Sequence, residues 1–212
     1  EFNESNAFVA INVFSQSSSS SEDPYDLIFN RWNARKSASL TLEMLANTFG
    51  ENVAKKFFFI IDYYMKKEHW KYVEAANLIF GAISDGLSDV VEEYLPQVIP
   101  LVFSAAYSGK IFVLRSTSVW TLSRYSTFIS NTDVYTEEYI KILIALISDR
   151  NKRVQLAAFY ALVQLQNVLQ FEILPYFDEI VSSISKCMPY YDLVTFSSVS
   201  LYLLSVLETL HS

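Results

Sequence analysis

A pattern of apolar and small residues recurs about every forty residues along this chain of 212 residues. When Arg35, Val73, Leu114 and Val154 are taken as equivalent positions, their spacings are 38, 41 and 40 residues, and Leu193 extends the series by 39. Repeats of this length built from helix pairs are typical of HEAT or armadillo solenoids, in which each unit buries its apolar face only by stacking on its neighbours. The period therefore predicts an all-α fold, a HEAT-repeat α-solenoid, which is primarily a binding surface.

Two columns of the repeat support this alignment. Three residues after each anchor stand Ala38, Ala76, Thr117, Ala157 and Phe196. The first four are small enough for neighbouring helices to approach closely. Five residues after each anchor stand Leu40, Leu78, Val119, Phe159 and Ser198, which are mostly apolar. The last repeat departs from both columns.

Each period is expected to divide into two helices, because a chain with only 4 Gly and 5 Pro has few signals that would break a helix. We expect the second ("B") helices at 32–48, 69–86, 111–130, 151–169 and 191–209. The first ("A") helices are expected at 51–66, 88–107, 135–148 and 171–187. Pro96 and Pro100 should kink the 88–107 helix, because each removes a backbone donor. Residues 32–212 would then hold about four and a half HEAT repeats.

The first 31 residues lack this periodicity. A serine-rich tract that ends in Glu22-Asp23-Pro24 predicts a flexible loop. The residues from Asn6 to Phe14 are apolar enough for one short helix. We therefore assign residues 1–31 to a short apolar segment and a loop, and we expect a chain that begins with Glu1 to be an internal piece of a longer soluble protein.

The charge of the chain restricts its partners. It carries 23 acidic and 16 basic side chains, a formal net charge of -7, which argues against nucleic acid as a ligand. Attraction to a basic partner and ordinary solubility both explain this charge. No apolar run approaches the roughly 18 residues that span a bilayer, so no membrane association is expected. The single Cys187 excludes an internal disulfide and fits a reducing compartment.

The residue patterns of enzymes are missing. The two histidines, His69 and His211, have no partner pattern around them, so the sequence predicts no hydrolytic triad. One cysteine and two distant histidines cannot form a zinc site, and the chain has no glycine-rich phosphate loop. We interpret the acidic cluster Asp85, Asp89, Glu92 and Glu93 as a solvated face. We therefore expect no enzymatic activity, no metal and no cofactor.

Several short motifs resemble one receptor family. They are Trp32 to Ser37, Trp70, Gly81 to Gly86, Tyr94 to Pro100, Arg115-Ser116, Trp120 to Tyr125, and Asn151 to Gln155 followed by Ala157-Ala158. In this order and at these offsets, residues 32–176 resemble the transportin branch of the karyopherin-β family of nuclear import receptors. The resemblance implies a HEAT superhelix whose B helices line a concave face that binds proline-tyrosine nuclear localisation signals.

The resemblance also implies a set of binding residues for the proline-tyrosine pair. By motif position they are Leu40, Glu43, Leu78, Thr117, Trp120 and Arg124. Glu43 stands where the family has an aspartate, and Thr117 replaces an apolar residue.

The residues by themselves support part of this assignment. Leu40 and Leu78 share a repeat column, and Trp120 lies one residue past it, so all three could face one groove. An indole there can pack on a prolyl or tyrosyl ring. Two alternatives stay open: Trp120 as a core aromatic between repeats, and Arg124 as a member of a hydrogen-bond ladder between repeats.

The chain departs from the family where the basic part of a signal binds. Gln164 and Asn167 stand at positions where the family has acids, as do Ser198, Tyr202 and Ser205 in the last repeat. Because none of these side chains is charged, strongly basic signals should gain less affinity here. Glu22, Asp23 and Asp26 stand where the family has a long acidic loop that links Ran binding to cargo release, and this linkage stays open.

The sequence therefore predicts a transportin-like nuclear import receptor, a monomer that shuttles between cytoplasm and nucleus. Its expected partners are cargo proteins with nuclear localisation signals, together with Ran GTPase and nucleoporins for the full-length receptor. The alternative is a HEAT scaffold that organises other proteins and does not bind import signals. A variant of the first hypothesis is a divergent receptor that prefers hydrophobic, weakly basic signals.

Overall fold

The computed structural model describes residues 34–86, 91–108 and 110–211, and the regular elements within these ranges are helices. They are α1 (Ala34–Phe49), α2 (Glu51–Met65), α3 (Trp70–Ala82), α4 (Leu95–Ser108), α5 (Phe112–Ser123), α6 (Ser126–Ser130), α7 (Asp133–Leu146), α8 (Lys152–Leu169), α9 (Leu174–Cys187) and α10 (Leu193–His211). Short 3-10 turns, Gln170–Ile173 and Met188–Tyr190, precede α9 and α10. The predicted all-α class is confirmed.

The helices form two layers. In the first, which we call the B layer, α1, α3, α5, α8 and α10 each pack on the next. In the second, α2 packs on α3, α4 on α5 and α7 on α8, while α7 also contacts α4 and α9. Each helix pair thus contacts mainly its immediate neighbours. This arrangement is the predicted HEAT-repeat solenoid.

Local residue chemistry sets several helix ends. The Asn151 side chain accepts a hydrogen bond from the backbone N–H of Arg153 and caps α8. His69 caps α3 in the same way, with Nδ1 accepting from the backbone N–H of Lys71 at 3.3 Å. Gly50 joins α1 to α2 with a φ of 47°, a left-handed conformation that favours glycine.

The prediction of one continuous B helix at 111–130 is wrong, because α5 ends at Ser123 and α6 begins at Ser126. Tyr125, between them, leaves the helical conformation with φ −111° and ψ 20°. Its ring stacks on Phe80 at 4.3 Å between centroids, and its hydroxyl donates to the Phe80 carbonyl at 2.7 Å. Packing between repeats therefore interrupts the helix at this point.

Two other boundaries also differ from the predictions. The helix expected at 69–86 ends at Ala82. The helix expected at 88–107 begins at Leu95 in the described part of the chain, after a turn at 92–94. Pro96 therefore lies in the first turn of α4, where backbone N–H groups have no partner within the helix, so proline costs no hydrogen bond there. Pro100 lies inside the helix.

Some predictions concern residues outside the described ranges. They include the N-terminal segment and loop at 1–31, Trp32, and Asp89 of the acidic cluster. The boundary between loop and repeats at residues 31 and 32 therefore stays a prediction. The described helices comprise four A/B pairs, one preceding B helix, α1, and the short α6, which follows the B helix α5.

Small residues bring the B helices close together. Ala76, Thr117 and Ala157, from the same repeat column, are buried in the middle of the layer. Ala38 and Phe196, from the same column, lie on the first and last B helices and are exposed. The column is therefore buried only where a B helix has neighbours on both sides.

Candidate functional site

Successive B helices each carry half-buried side chains. They include Leu40 on α1, Leu78 on α3, Trp120 on α5 and Tyr160 on α8, and we call these four residues the row. By contrast Val119 and Phe159, which share the repeat column of the two leucines, are fully buried at 0% exposure. Trp120 is therefore less buried than Val119 and Phe159.

The position of the Trp120 ring depends on Gly81. A Cβ atom built on Gly81 would lie 2.4 Å from Cζ3 of Trp120 and 3.0 Å from Oγ1 of Thr121. The indole therefore rests directly on the α3 backbone, at a place where any side chain would displace it. One face of the ring is covered by α3, and the half-buried ring keeps part of its surface open to solvent.

Arg124, one turn after Trp120, connects two repeats. Its Nε donates to Ser84 Oγ at 3.1 Å, and a terminal nitrogen donates to Asp85 Oδ2 at 2.7 Å. The Arg124 side chain is only 10% exposed, while that of Asp85 is 59% exposed. The structure thus shows the hydrogen-bond ladder that the sequence left open for Arg124, and it brings the exposed carboxylate of Asp85 to the end of α3.

The charges of Arg124 and Asp85 affect the pKa values of side chains on neighbouring helices. Burial raises the pKa of Glu43 on α1, the positive charge of Arg124 opposes this rise, and the negative charge of Asp85 adds to it. Burial also raises the pKa of the Tyr160 phenol, again with Arg124 in opposition. Glu43, Asp85, Arg124 and Tyr160 therefore form one electrostatic neighbourhood across four B helices.

Thr117 is not part of the half-buried row. It is buried, its hydroxyl donates to Glu74 Oε1 at 2.8 Å, and it accepts from Arg35 at 3.1 Å. Arg35 in turn forms an ion pair with Glu74. A threonine at this position therefore satisfies a buried carboxylate that an apolar residue would leave with fewer partners.

The last two predicted site residues lie on α8. Gln164 is half-buried, and Asn167 is exposed and accepts a hydrogen bond from Ser205 of α10 at 3.4 Å. Tyr202, also aligned with the family's acidic positions, is fully buried and belongs to the core. The surface at Gln164 and Asn167 thus offers amide groups and no charge.

Sequence reasoning missed Asp85 and Tyr160 as members of this surface. Asp85 was interpreted as part of a solvated acidic face, and its link to Arg124 comes from the packing of two repeats. Tyr160 had a detectable signal, because it follows Trp120 by 40 residues, the same spacing that separates Leu114 from Val154. Trp120 and Tyr160 share the column six residues after the anchors Leu114 and Val154.

Other kinds of site find no support in the described part of the chain. Within residues 34–86, 91–108 and 110–211, no three His, Cys, Asp or Glu side chains cluster closely enough for a metal ion. The helices in these same ranges lack the combination of length and hydrophobicity that a membrane span requires. His69 serves as a helix cap.

Comparison with curated proteins identifies relatives over most of the chain. Transportin-1 from Oryza sativa subsp. japonica is 34% identical over 164 residues, which are 73% of this chain and 18% of the relative. Transportin-1 from Homo sapiens is 32% identical over 161 residues, with the same two coverages of 73% and 18%. The chain thus spans about 18% of the length of these relatives. No protein-family model matches the chain.

Comparison with solved structures gives the same architecture. Kap121p bound to Pho4p superimposes with a TM-score of 0.74 at 18% identity, over 96% of this chain and 21% of that one. Kap95p, whose binding induces the switch loops of RanGDP to adopt the GTP-bound conformation, gives a TM-score of 0.77 at 18% identity, over 99% of this chain and 25% of that one. At these identities the likeness concerns the fold alone.

Proposed function

This chain belongs to the karyopherin-β family, and from that membership we propose that it binds proline-tyrosine nuclear localisation signals of cargo proteins in nuclear import. The proposed site is the row of half-buried side chains on the B layer, which would form the concave face of the solenoid. One observation carries the proposal: the Trp120 indole lies on the α3 backbone at Gly81 and keeps part of its surface open.

The chemistry of this row suits a proline-tyrosine pair. A prolyl ring packs well on the face of an indole, and the pair of half-buried leucines, Leu40 and Leu78, offers apolar surface for a tyrosyl ring. The exposed carboxylate of Asp85 and the nearby Glu43 can accept hydrogen bonds from the tyrosyl hydroxyl or from the peptide backbone. Arg124, held by Ser84 and Asp85, would then orient Asp85 instead of binding the signal itself.

Signals with few basic residues should suit this surface best. Gln164 and Asn167, next along the B layer, can donate and accept hydrogen bonds but cannot neutralise an arginine or a lysine. Each carboxylate that is replaced by an amide removes one charge-assisted hydrogen bond from a basic signal. We therefore favour the divergent receptor with a hydrophobic, weakly basic preference.

Further partners follow from the relatives. Solved structures of the family include Kap121p bound to RanGTP and Kap121p bound to Nup53p. We extend these two kinds of partner, Ran GTPase and nucleoporins, to the full-length receptor. The receptor would act as a monomer that shuttles between cytoplasm and nucleus, without enzymatic activity.

The test is fluorescence polarisation with a labelled proline-tyrosine signal peptide and the 212-residue chain. We expect saturable binding that Trp120→Ala weakens by about thirtyfold, because loss of a central aromatic anchor typically costs about 2 kcal/mol. Phe59→Ala is the matched control: it also removes a large aromatic, one that is 74% exposed on α2 in the other layer. Circular dichroism should show equal helix content in both variants.

The possible results separate the two hypotheses. If Trp120→Ala binds the peptide as tightly as wild type, the site assignment is wrong. If wild type does not bind the peptide at all but binds a folded partner protein tightly, the scaffold function replaces the receptor function. A second peptide with its basic residues neutralised should lose little affinity, and a large loss would contradict the weakly basic preference.

A further inference from the structure

A cluster of lysines and aromatic rings surrounds the turn between α2 and α3. We call it the lysine–aromatic patch, and it comprises Tyr63, Tyr64, Lys67, Trp70, Lys71 and Tyr72. The patch takes no part in the proposed signal site on the B layer. Tyr63 and Tyr72 are 52% and 49% exposed. Large aromatic side chains are more often mostly buried.

The rings of the patch contact one another. Tyr64 and Tyr72 stack with centroids 5.5 Å apart and planes 9° from parallel, and Tyr63 meets the edge of Tyr64 at 5.4 Å. Lys67 Nζ lies 3.9 Å from the centre of the Tyr63 ring, and Lys71 Nζ lies 5.8 Å from that of Trp70. The His69 ring links Trp70 to Tyr72, with centroids 6.1 and 6.0 Å away, so the rings follow one another from Tyr63 to Trp70 with a lysine at each end.

The local charge is opposite to that of the whole chain. Residues 55–71 contain five of the 16 basic residues and only two of the 23 acidic ones. The remaining residues of the chain therefore carry 11 basic and 21 acidic side chains. Lys55 and Lys56 lie near the start of α2, whereas the turn itself carries Lys66, Lys67 and Lys71 against Asp62 and Glu68, with Lys66 paired to Asp62. The turn is therefore weakly basic within an acidic chain, and Lys67 and Lys71 can attract negatively charged ligands to it.

We propose that the lysine–aromatic patch binds an acidic segment of a partner protein in which carboxylates alternate with aromatic or prolyl side chains. The ammonium groups of Lys67 and Lys71 pair with carboxylates, and the Tyr64–Tyr72 stack provides the apolar contact between them. The net charge of -7 disfavours a nucleic acid strand, whose phosphates would extend past the patch over acidic surface.

The patch is separate from the B-layer site. Leu78 lies eight residues after Trp70 on α3. At 1.5 Å per residue the two are about 12 Å apart along the helix axis, and Asp85 is farther still. The patch and the row therefore share no residue.

The test uses the 212-residue chain and a fluorescein-labelled acidic peptide with alternating Glu and Phe or Pro. We expect saturable binding that weakens about tenfold between 0.1 M and 1 M NaCl, because the Debye length falls from about 10 Å to about 3 Å. The double variant K67Q/K71Q should bind at least about tenfold more weakly. The matched control K110Q/K186Q removes the same charge from two exposed lysines outside the patch and should keep its affinity.

Additional variants distinguish this site from the others. Tyr72→Ala should weaken peptide binding even though the net charge is unchanged, whereas Trp120→Ala should leave it intact. Unchanged binding by K67Q/K71Q, or an equal loss in K110Q/K186Q, would overturn the proposal. So would tighter binding of a single-stranded oligonucleotide than of the peptide. Tighter peptide binding by E22Q/D23N/D26N would instead identify the chain's own acidic segment as the occupant and exclude the partner protein.

Discussion

At the scale of single residues, the glycine at position 81 determines how Trp120 is presented. The α3 and α5 helices approach so closely at Gly81 that a β-carbon would overlap the indole. One face of the ring is therefore covered by backbone. The proposed signal site thus depends on a residue that contributes no side chain.

Gly81→Ala tests this dependence. A Cβ atom 2.4 Å from Cζ3 must push the indole away, so we expect the affinity for a proline-tyrosine peptide to fall by about tenfold or more. Stability should change less, because alanine gains about 1 kcal/mol of helix propensity against a similar overpacking cost. Both are measured by fluorescence polarisation and thermal unfolding.

Gly50→Ala is the control for this experiment. Gly50 has a left-handed φ of 47° and open space around its Cβ position, so alanine there should cost about 1 kcal/mol of stability and no affinity. Equal affinity losses in the two variants would show that global destabilisation, not displacement of the indole, causes the effect.

Glu43→Gln provides a test by pH. Because burial raises the pKa of Glu43 in the folded chain above its value of 4.5, ionisation of this group costs stability. That cost is absent below about pH 4 and grows as the pH rises through the raised pKa. Glutamine mimics the protonated acid, so the variant should have the higher Tm at pH 7.

The Tm difference between Glu43→Gln and wild type should shrink as the pH is lowered toward 4. Thermal unfolding followed by circular dichroism from pH 4 to pH 8 measures it. A lower Tm for the variant at pH 7 would mean that the attraction of Arg124 outweighs burial.

At the scale of elements, one ion pair fastens α5 to the turn before α8. Arg115 donates to both carboxylate oxygens of Asp149, at 2.8 and 2.9 Å. The Asp149 carboxylate also accepts from the backbone N–H of Asn151, and the Asp149 carbonyl accepts from the Gln155 side chain. The pair is largely buried, with 16% and 9% of the two side chains exposed. It therefore sets the position of one helix pair on the next.

Asp149→Asn should destabilise the chain by about 3 kcal/mol, because it leaves the Arg115 charge buried without its partner. The change is measured by urea denaturation. Asp62→Asn is the matched control, since it breaks an exposed ion pair with Lys66 within α2 and should cost less than about 0.5 kcal/mol. Similar costs for the two variants would contradict a structural role for the buried pair.

Element boundaries show where a prediction from sequence fails. Periodicity and cap residues such as Asn151 locate the start of α8 correctly, because the signal for that end is local. The break at Tyr125 coincides with a contact between repeats, in which the Tyr125 ring and hydroxyl contact Phe80 on the preceding B helix. The Ser123 and Ser126 hydroxyls beside it also bond to backbone carbonyls three residues before them.

At the scale of the whole molecule, contacts run between neighbouring helix pairs. The α5 and α8 helices are the most enclosed, with 9 of 12 and 12 of 18 residues buried, because each packs on B helices on both sides and on a helix of the second layer. The α1 helix contacts α2 and α3, at one end of the described stack. Stability should therefore be graded along the solenoid.

Hydrogen exchange measured by mass spectrometry should follow this gradient. We expect the slowest exchange in α5 and α8 and the fastest in α1 and α10, because each end helix has one neighbour in the B layer of the described chain. When signal peptide is added, protection should rise most near Trp120 and least in α10. Uniform protection along the chain would indicate a single cooperative unit instead.

The sequence by itself determined the fold class and the forty-residue period, because hydrophobic periodicity and helix caps are encoded within each repeat. Only the tertiary structure decided that Thr117 lies inside the layer and that Arg124 binds Ser84 and Asp85. These outcomes depend on which side chains meet across adjacent repeats. A one-residue difference in register between two helices changes every such contact, and nothing within a single repeat specifies it.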